Sequence, residues 1–363
     1  MTSNPSEHDV GAFHYPLPPE LVAQEPLPRR DSSRLLVLDR AGGALAHRTF
    51  RDLPDFLRPG DLLVTNRSRV FPARLLGRRE GGGSAEILLV RRAGPDVWEA
   101  MVRPGRRLRP GTVVEVAPGF RVRIEEPPRP ARTDEGPGAG PQPSPLRRVR
   151  LLLDALDPST ALERHGHVPL PPYIHRADEP SDRERYQTVY ARETGSVAAP
   201  TAGLHFTPDL LGRLDERGVE RAEVVLHVGP GTFRPVEVQD VREHRVDPER
   251  FTIPEETAAA VDRAQADGRR VVAVGTTATR ALESATDDAG RIRAGEGETG
   301  LVIVPGFRFR VTGALVTNFH LPRSSLLLLV SAFAGRERVL AAYEEAVRLR
   351  YRFYSYGDAM LVV

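Results

Sequence analysis

AEILLVRR (85–92), VWEAMVR (97–103), TVVEVA (112–117), RVRIEE (121–126) and VRLLLD (149–154) follow one another with only Gly- and Pro-rich turns between them. Each is a short apolar or alternating run, and no segment of helical period separates them. Closely spaced strands of this kind predict an antiparallel module, barrel or sandwich, over residues 59–155. Within it, residues 127–145 (PPRPARTDEGPGAGPQPSP) are too rich in Pro and Gly to pack, so a long mobile loop is expected there.

On either side of this module the rhythm changes. DSSRLLVLDR (31–40), ahead of it, reads as a buried strand bounded by polar turns, and so does DLLVTN (61–66), just inside the module's start. After residue 155, helical patterns at 208–217, 278–284, 325–334 and 336–350 alternate with strand patterns at 221–228, 269–275, 301–304 and 313–320. Thr252 and Glu255 have the spacing of a capping box for a helix through about Ala266. Strand–helix alternation predicts an α/β domain with a largely parallel sheet. The expected architecture is therefore an α/β main domain, residues 1–58 and 156–363, with a separate small antiparallel β module, barrel or sandwich, at residues 59–155.

Composition narrows the chemistry. The 363 residues include no Cys and no Lys, so all 51 basic side chains are Arg. That excludes disulfides, thiolate nucleophiles and Cys-ligated metal, and also the P-loop lysine and Schiff-base amines. His165 and His167 lack a third clustered ligand, so no metal is expected. The N-terminal stretch has no basic and apolar signal pattern, and LLLLV (326–330) is far too short to span a bilayer. A cytoplasmic location is expected. Charge is unevenly spread: residues 59–155 hold 18 Arg against 11 acids, or +7, leaving 2 − 7 = −5 for the remainder. A basic β module suits a polyanionic partner.

Five Gly-containing polar segments fall at expected strand ends of the α/β region: APTAGLHF (199–206), LHVGPGTF (226–233), VGTTATR (274–280), TNFHLP (317–322) and YGD (356–358). Ligands of open α/β sheets bind where such loops converge. Taken singly none identifies a reaction. Gly229-Pro230-Gly231 lacks the N–H that a phosphate cradle uses.

Together with GHVPLPPYI (166–174), RYQTVYA (185–191), ALVTNFHLPRSSLLLLVSAFAG (314–335) and YRFYSYGDAML (351–361), these segments resemble the S-adenosylmethionine:tRNA ribosyltransferase-isomerases of queuosine biosynthesis. The resemblance runs nearly end to end. It implies transfer and isomerisation of the ribosyl moiety of S-adenosylmethionine onto 7-aminomethyl-7-deazaguanine at the wobble position of a GUN-anticodon tRNA. Epoxyqueuosine-tRNA forms, and adenine and methionine are released. It also implies an α/β main domain with an inserted small antiparallel β-barrel domain, and S-adenosylmethionine as co-substrate without a further cofactor; a monomer is expected.

The implied route begins by taking a proton from the ribose C5′ beside the sulfonium. His205, His227, His320, Glu193 and Asp358 are the groups available as base. His205 is favoured because Ala202 and Gly203 allow close approach, with His227 and Asp358 as further catalytic candidates. Arg280, or the N–H groups of Thr276 and Thr277, suit the methionine carboxylate. Phe206 or Tyr356 suits the sulfonium, and Asn318 a ribose hydroxyl or adenine edge. Thr201, Gly203, Gly229 and His320 complete the expected substrate contacts, and Arg69, Arg106, Arg107 and Arg109 the tRNA contacts.

The chain departs from the family pattern at His244-Arg245-Val246-Asp247-Pro248-Glu249, where Asp247 replaces a usual histidine, and at Asn66-Arg67-Ser68-Arg69-Val70. Two other readings compete: the same ribosyl chemistry on a small-molecule nucleoside, and a catalytically inactive tRNA-binding homologue. The charge asymmetry generates a direct test. Reversing Arg106, Arg107 and Arg109 to Glu is expected to weaken tRNA binding and flatten its salt dependence; unchanged affinity in a filter-binding titration moves the RNA footprint elsewhere.

Overall fold

The computed structural model describes residues 8–126, 146–233 and 235–363; the expected mobile loop at 127–145 lies outside them. Its strands are β1 (Arg34–Leu38), β2 (Leu45–Thr49), β3 (Leu62–Asn66), β4 (Ser68–Val70), β5 (Arg74–Arg79), β6 (Ser84–Arg92), β7 (Val97–Arg103), β8 (Val113–Ala117) and β9 (Phe120–Ile124). They continue as β10 (Arg147–Leu153), β11 (Glu193–Ser196), β12 (Glu220–Leu226), β13 (Glu249–Ile253), β14 (Val271–Val274), β15 (Gly295–Thr299), β16 (Thr312–Asn318) and β17 (Ala359–Val362). The helices are α1 (Pro158–His165), α2 (Asp182–Arg185), α3 (Pro208–Glu216), α4 (Glu255–Ala266), α5 (Gly275–Ala285), α6 (Ser325–Ala334) and α7 (Arg336–Arg348).

The chain divides into two compact units. The smaller comprises Val70–Leu170 and Asp178–Arg183. It contains a closed barrel in the order β10-β7-β6-β5-β8-β9, antiparallel throughout. Alternation explains it: in β9 the buried residues are Phe120, Val122 and Ile124, while Arg121 and Arg123 face solvent. Closure removes the exposed edges that so short a sheet would otherwise present.

The larger unit comprises Met1–Arg69, Pro171–Ala177 and Glu184–Val363. Its nine-stranded sheet runs β15-β13-β12-β3-β14-β16-β17-β1-β2. The expected parallel character holds for the central run β12-β3-β14-β16 and again for β17-β1. Four neighbouring pairs are parallel, and four are antiparallel. β3 and β14 are buried on both faces, as apolar runs in a covered sheet should be. One face packs Val64, Ala273 and Leu315 with α4 to α7; the other packs Leu63, Val274 and Val316 with α3 and Phe206.

Four expectations are corrected. DLLVTN (61–66), assigned to the barrel domain, lies mid-sheet as β3 in the larger unit. LVIV (301–304) is irregular, and the strand before it is the polar GEGET of β15. Thr252 belongs to β13, and α4 starts only after Pro254, which has no side-chain cap bond. Finally β17, at the C-terminus, pairs with both β1 and β16, a strand that the tail motif did not suggest.

Buried polar groups staple α5 to this sheet. Glu283 accepts from the backbone N–H groups of Arg310, Val311 and Thr312 at 2.9–3.2 Å, and from Thr312 Oγ1 at 2.8 Å. Glu283→Ala orphans three buried donors, so it should cost about 3 kcal/mol or more in urea unfolding. Exposed Glu344→Ala on α7 should stay within about 0.5 kcal/mol; equal losses would contradict this reading.

Candidate active site

The parallel strands β14 and β16 direct their carboxyl ends toward one region of the larger unit, where the 3-10 turn Thr201–His205 packs. Gly203 makes the turn possible, because a Cβ there would lie 2.2 Å from Tyr190 Oη. The turn delivers His205, 4% exposed, between Ser33 and Asn318. Its Nδ1 lies 2.7 Å from Ser33 Oγ, and its Nε2 3.2 Å from Asn318 Nδ2.

The surrounding groups assign the tautomer. Asn318 Nδ2 also donates to the Tyr354 carbonyl at 3.0 Å, which can only accept, so the amide nitrogen faces Nε2. Nε2 is then an acceptor and Nδ1 carries the proton. Ser33 Oγ relays to the Arg30 carbonyl at 3.4 Å. Burial, then the charges of Arg30 and Arg352, push the His205 pKa down to about 3. The ring stays neutral and stacks against Phe50, centroids 4.9 Å apart.

Two cavities meet this network, and Ser355 lines both. The first is lined by His205, Ser33, Arg30, Arg185 and Tyr356. The second is lined by Thr201, Asn318, His320, Tyr173 and Tyr354. Tyr173 and Tyr354 stack at 4.4 Å. Asn318 Oδ1 and Tyr354 Oη are buried there without hydrogen-bond partners, an arrangement that costs free energy until a ligand meets it.

His320 is buried, with Nε2 2.7 Å from Thr317 Oγ1, and burial takes its pKa down to about 3. Thr276 and Thr277 open α5, whose first turn has no side-chain cap. Gly275 starts that helix at φ +88°, a left-handed value suited to glycine. Thr277 Oγ1 accepts from Asn66 Nδ2 at 3.4 Å.

Other expected residues hold different positions. Asp358 is saturated: it accepts from the Arg34 N–H (2.8 Å), Arg34 Nε (3.1 Å) and the Arg352 N–H (2.8 Å), so it anchors the chain rather than offering a base. Arg280 is consumed by an ion pair with Glu249 and by the Leu301 carbonyl at 3.0 Å, which removes it as a carboxylate clamp. Phe206 is fully buried edge-on to Phe50 and belongs to the core. Gly229 donates its N–H to Glu249 Oε1 at 2.8 Å.

His227 lines neither cavity. It is half-buried, its Nδ1 has no partner, and its ring lies over Gly195. Burial and Arg250 lower its pKa against an opposing effect of Glu193. Asp247 and Glu193 are exposed. Arg69 is exposed on β4, and Arg106, Arg107 and Arg109 are exposed around buried Leu108 in the smaller unit. Sequence reading missed Arg30, Ser33, Arg185 and Ser355. The only local signal was DSSR, which the strand assignment absorbed.

The comparisons with known proteins agree with one another. A family model described as queuosine biosynthesis protein matches residues 10–362. The S-adenosylmethionine:tRNA ribosyltransferase-isomerase of Symbiobacterium thermophilum is 52% identical over 97% of this chain and 98% of its own. That of Aquifex aeolicus is 50% identical over 98% and 99%. The crystal structure of S-adenosylmethionine tRNA ribosyltransferase from Thermotoga maritima aligns with TM-score 0.52 and 38% identity, covering 99% of this chain and 100% of that one.

Two buried neutral histidines make stability pH-dependent. Their folded pKa values, about 3, lie below the ordinary 6.5, so acid protonates the unfolded chain first and stability falls with pH. Between pH 6.5 and 5.5 each should remove about 1 kcal/mol. His320→Asn is expected to reduce that loss by about half the two-histidine contribution in urea titrations at both pH values; an unchanged loss would contradict it.

Proposed function

The chain belongs to the queuosine biosynthesis protein family, and from that premise we propose how it acts as an S-adenosylmethionine:tRNA ribosyltransferase-isomerase. The acceptor is 7-aminomethyl-7-deazaguanine at the wobble position of a GUN-anticodon tRNA, and S-adenosylmethionine is co-substrate with no further cofactor. The enzyme works as a cytoplasmic monomer; no helix among the described residues is long and apolar enough to cross a membrane.

The observation that carries the reading is the neutral, oriented His205 at the meeting point of two cavities. Its Nε2 holds a lone pair at every physiological pH and accepts the 3.2 Å bond from Asn318, although a pKa of about 3 makes it a weaker base than the near-neutral one this proton transfer calls for. A ligand that engages Asn318 frees Nε2 to take the C5′ proton, which the sulfonium acidifies. Ser33 holds the opposite ring nitrogen and therefore the tautomer. The unpartnered Asn318 Oδ1 accepts from a ribose hydroxyl or the adenine amine. The uncapped first turn of α5 receives the methionine carboxylate through the N–H groups of Thr276 and Thr277.

Removing the base separates catalysis from binding. His205→Ala should cut adenine release at least a hundredfold, while S-adenosylmethionine affinity by calorimetry stays within several-fold. Undiminished turnover would remove His205 as base and leave His227 as the next candidate.

A further inference from the structure

The first cavity carries a charge pattern that the reaction described so far does not use. Arg29, Arg30 and Arg185 line it together with Ser33, Ser355 and Tyr356, and no Asp or Glu lines it. Arg29 pairs with Asp31. Arg30 and Arg185 make no ion pair among the described residues. Arg30 donates to the carbonyls of Glu184 (2.9 Å) and Leu204 (3.1 Å), and Arg185 to those of Pro28 (3.2 Å) and Leu27 (2.6 Å). Arg352, whose charge reaches His205 with that of Arg30, donates to the Glu25 carbonyl. Arg185 Nε and Arg352 Nη1 are buried donors without any partner.

Elsewhere in this unit arginines are neutralised by carboxylates: buried Arg280 by Glu249, and partly buried Arg270 by Asp61. Three guanidinium groups hydrogen-bond only to carbonyls, two of them with idle donors, and the acids that act on them (Glu184 on Arg30, Asp358 and Glu25 on Arg352) form no ion pair with them, so their charge stays available to a ligand. S-Adenosylmethionine is a poor occupant, since its sulfonium and ammonium make it a net cation and the cleft lacks a carboxylate to receive them.

We propose that Arg30, Arg185 and Arg352 form a phosphate subsite for the acceptor RNA, seating a backbone phosphate beside the nucleotide that reacts at His205. The inference rests on the functional reading above, and it assigns the acceptor backbone to a place that reading left open. One consequence is electrostatic. A bound phosphate offsets the field of Arg30 and Arg352 at His205, so the base strengthens when the acceptor is seated.

The test uses the intact protein and anticodon stem-loop RNAs in which each loop phosphate in turn is replaced by a neutral methylphosphonate. Wild-type protein should lose about tenfold in affinity at one or two positions. Arg185→Gln and Arg352→Gln should bind the unsubstituted RNA about tenfold more weakly, with a salt slope lower by about 0.7–0.9. They should show less than twofold further loss at those same positions and keep S-adenosylmethionine affinity within twofold. No sensitive position in the wild type, or equal sensitivity in wild type and variants, overturns the proposal. So does loss of S-adenosylmethionine affinity with RNA binding intact, which makes the methionine carboxylate the occupant. The wild-type scan remains decisive if a variant fails to fold. Adenine release is followed in parallel: its absence with the phosphate pattern present sinks the functional reading and leaves the subsite standing.

Discussion

Everything around the candidate centre depends on keeping one imidazole buried, neutral and oriented. His205 is gripped at both nitrogens, by Ser33 beside β1 and by Asn318 at the end of β16, and Asn318 is itself fixed by the Tyr354 carbonyl in the C-terminal tail. Four distant segments of chain therefore converge on a single ring. Gly203 is the steric condition for that convergence, since any side chain there would collide with Tyr190. A neutral imidazole costs far less to bury than an imidazolium, so desolvation and the nearby arginines act in the same direction.

The arginines divide by partner rather than by position. Arg34, Arg270 and Arg280 meet carboxylates and lock the sheet to its loops. Breaking any of these pairs would strand a charge, so they serve stability. Arg30, Arg185 and Arg352 hydrogen-bond only to carbonyls, which orient a guanidinium without cancelling it, and the acids near Arg30 and Arg352 act on them without forming an ion pair. That distinction separates structural cations from those available to a ligand. In a chain whose basic residues are all Arg, composition alone cannot draw it.

How much was legible follows from the same physics. Barrel strands such as β9 declare themselves, because period-two alternation between Gly and Pro turns has few other solutions. β14 and β16 show as apolar runs for the same reason. β15 was hidden because an edge strand facing solvent needs no apolar residues, whereas LVIV carried an apolar signal that packing used without a strand. The motif APTAGLHF pointed to His205 through its small residues. The partners of Asp358, Arg280 and Phe206 could not be read locally, because their neighbours in sequence say nothing about groups tens to hundreds of residues away: Arg280 answers to Glu249, 31 positions distant, and Asp358 to Arg34, 324 positions distant. Ser33 and Ser355 escaped for the converse reason, as ordinary loop serines until the fold brings them to one cavity.

The central claim is that this site performs ribosyl transfer from S-adenosylmethionine to a modified tRNA. Adenine release measures it most directly, with tRNA carrying 7-aminomethyl-7-deazaguanine at the wobble position and the unmodified tRNA as control. The account requires release with the modified tRNA only. No release despite binding of both ligands, or equal release with either tRNA, would contradict it.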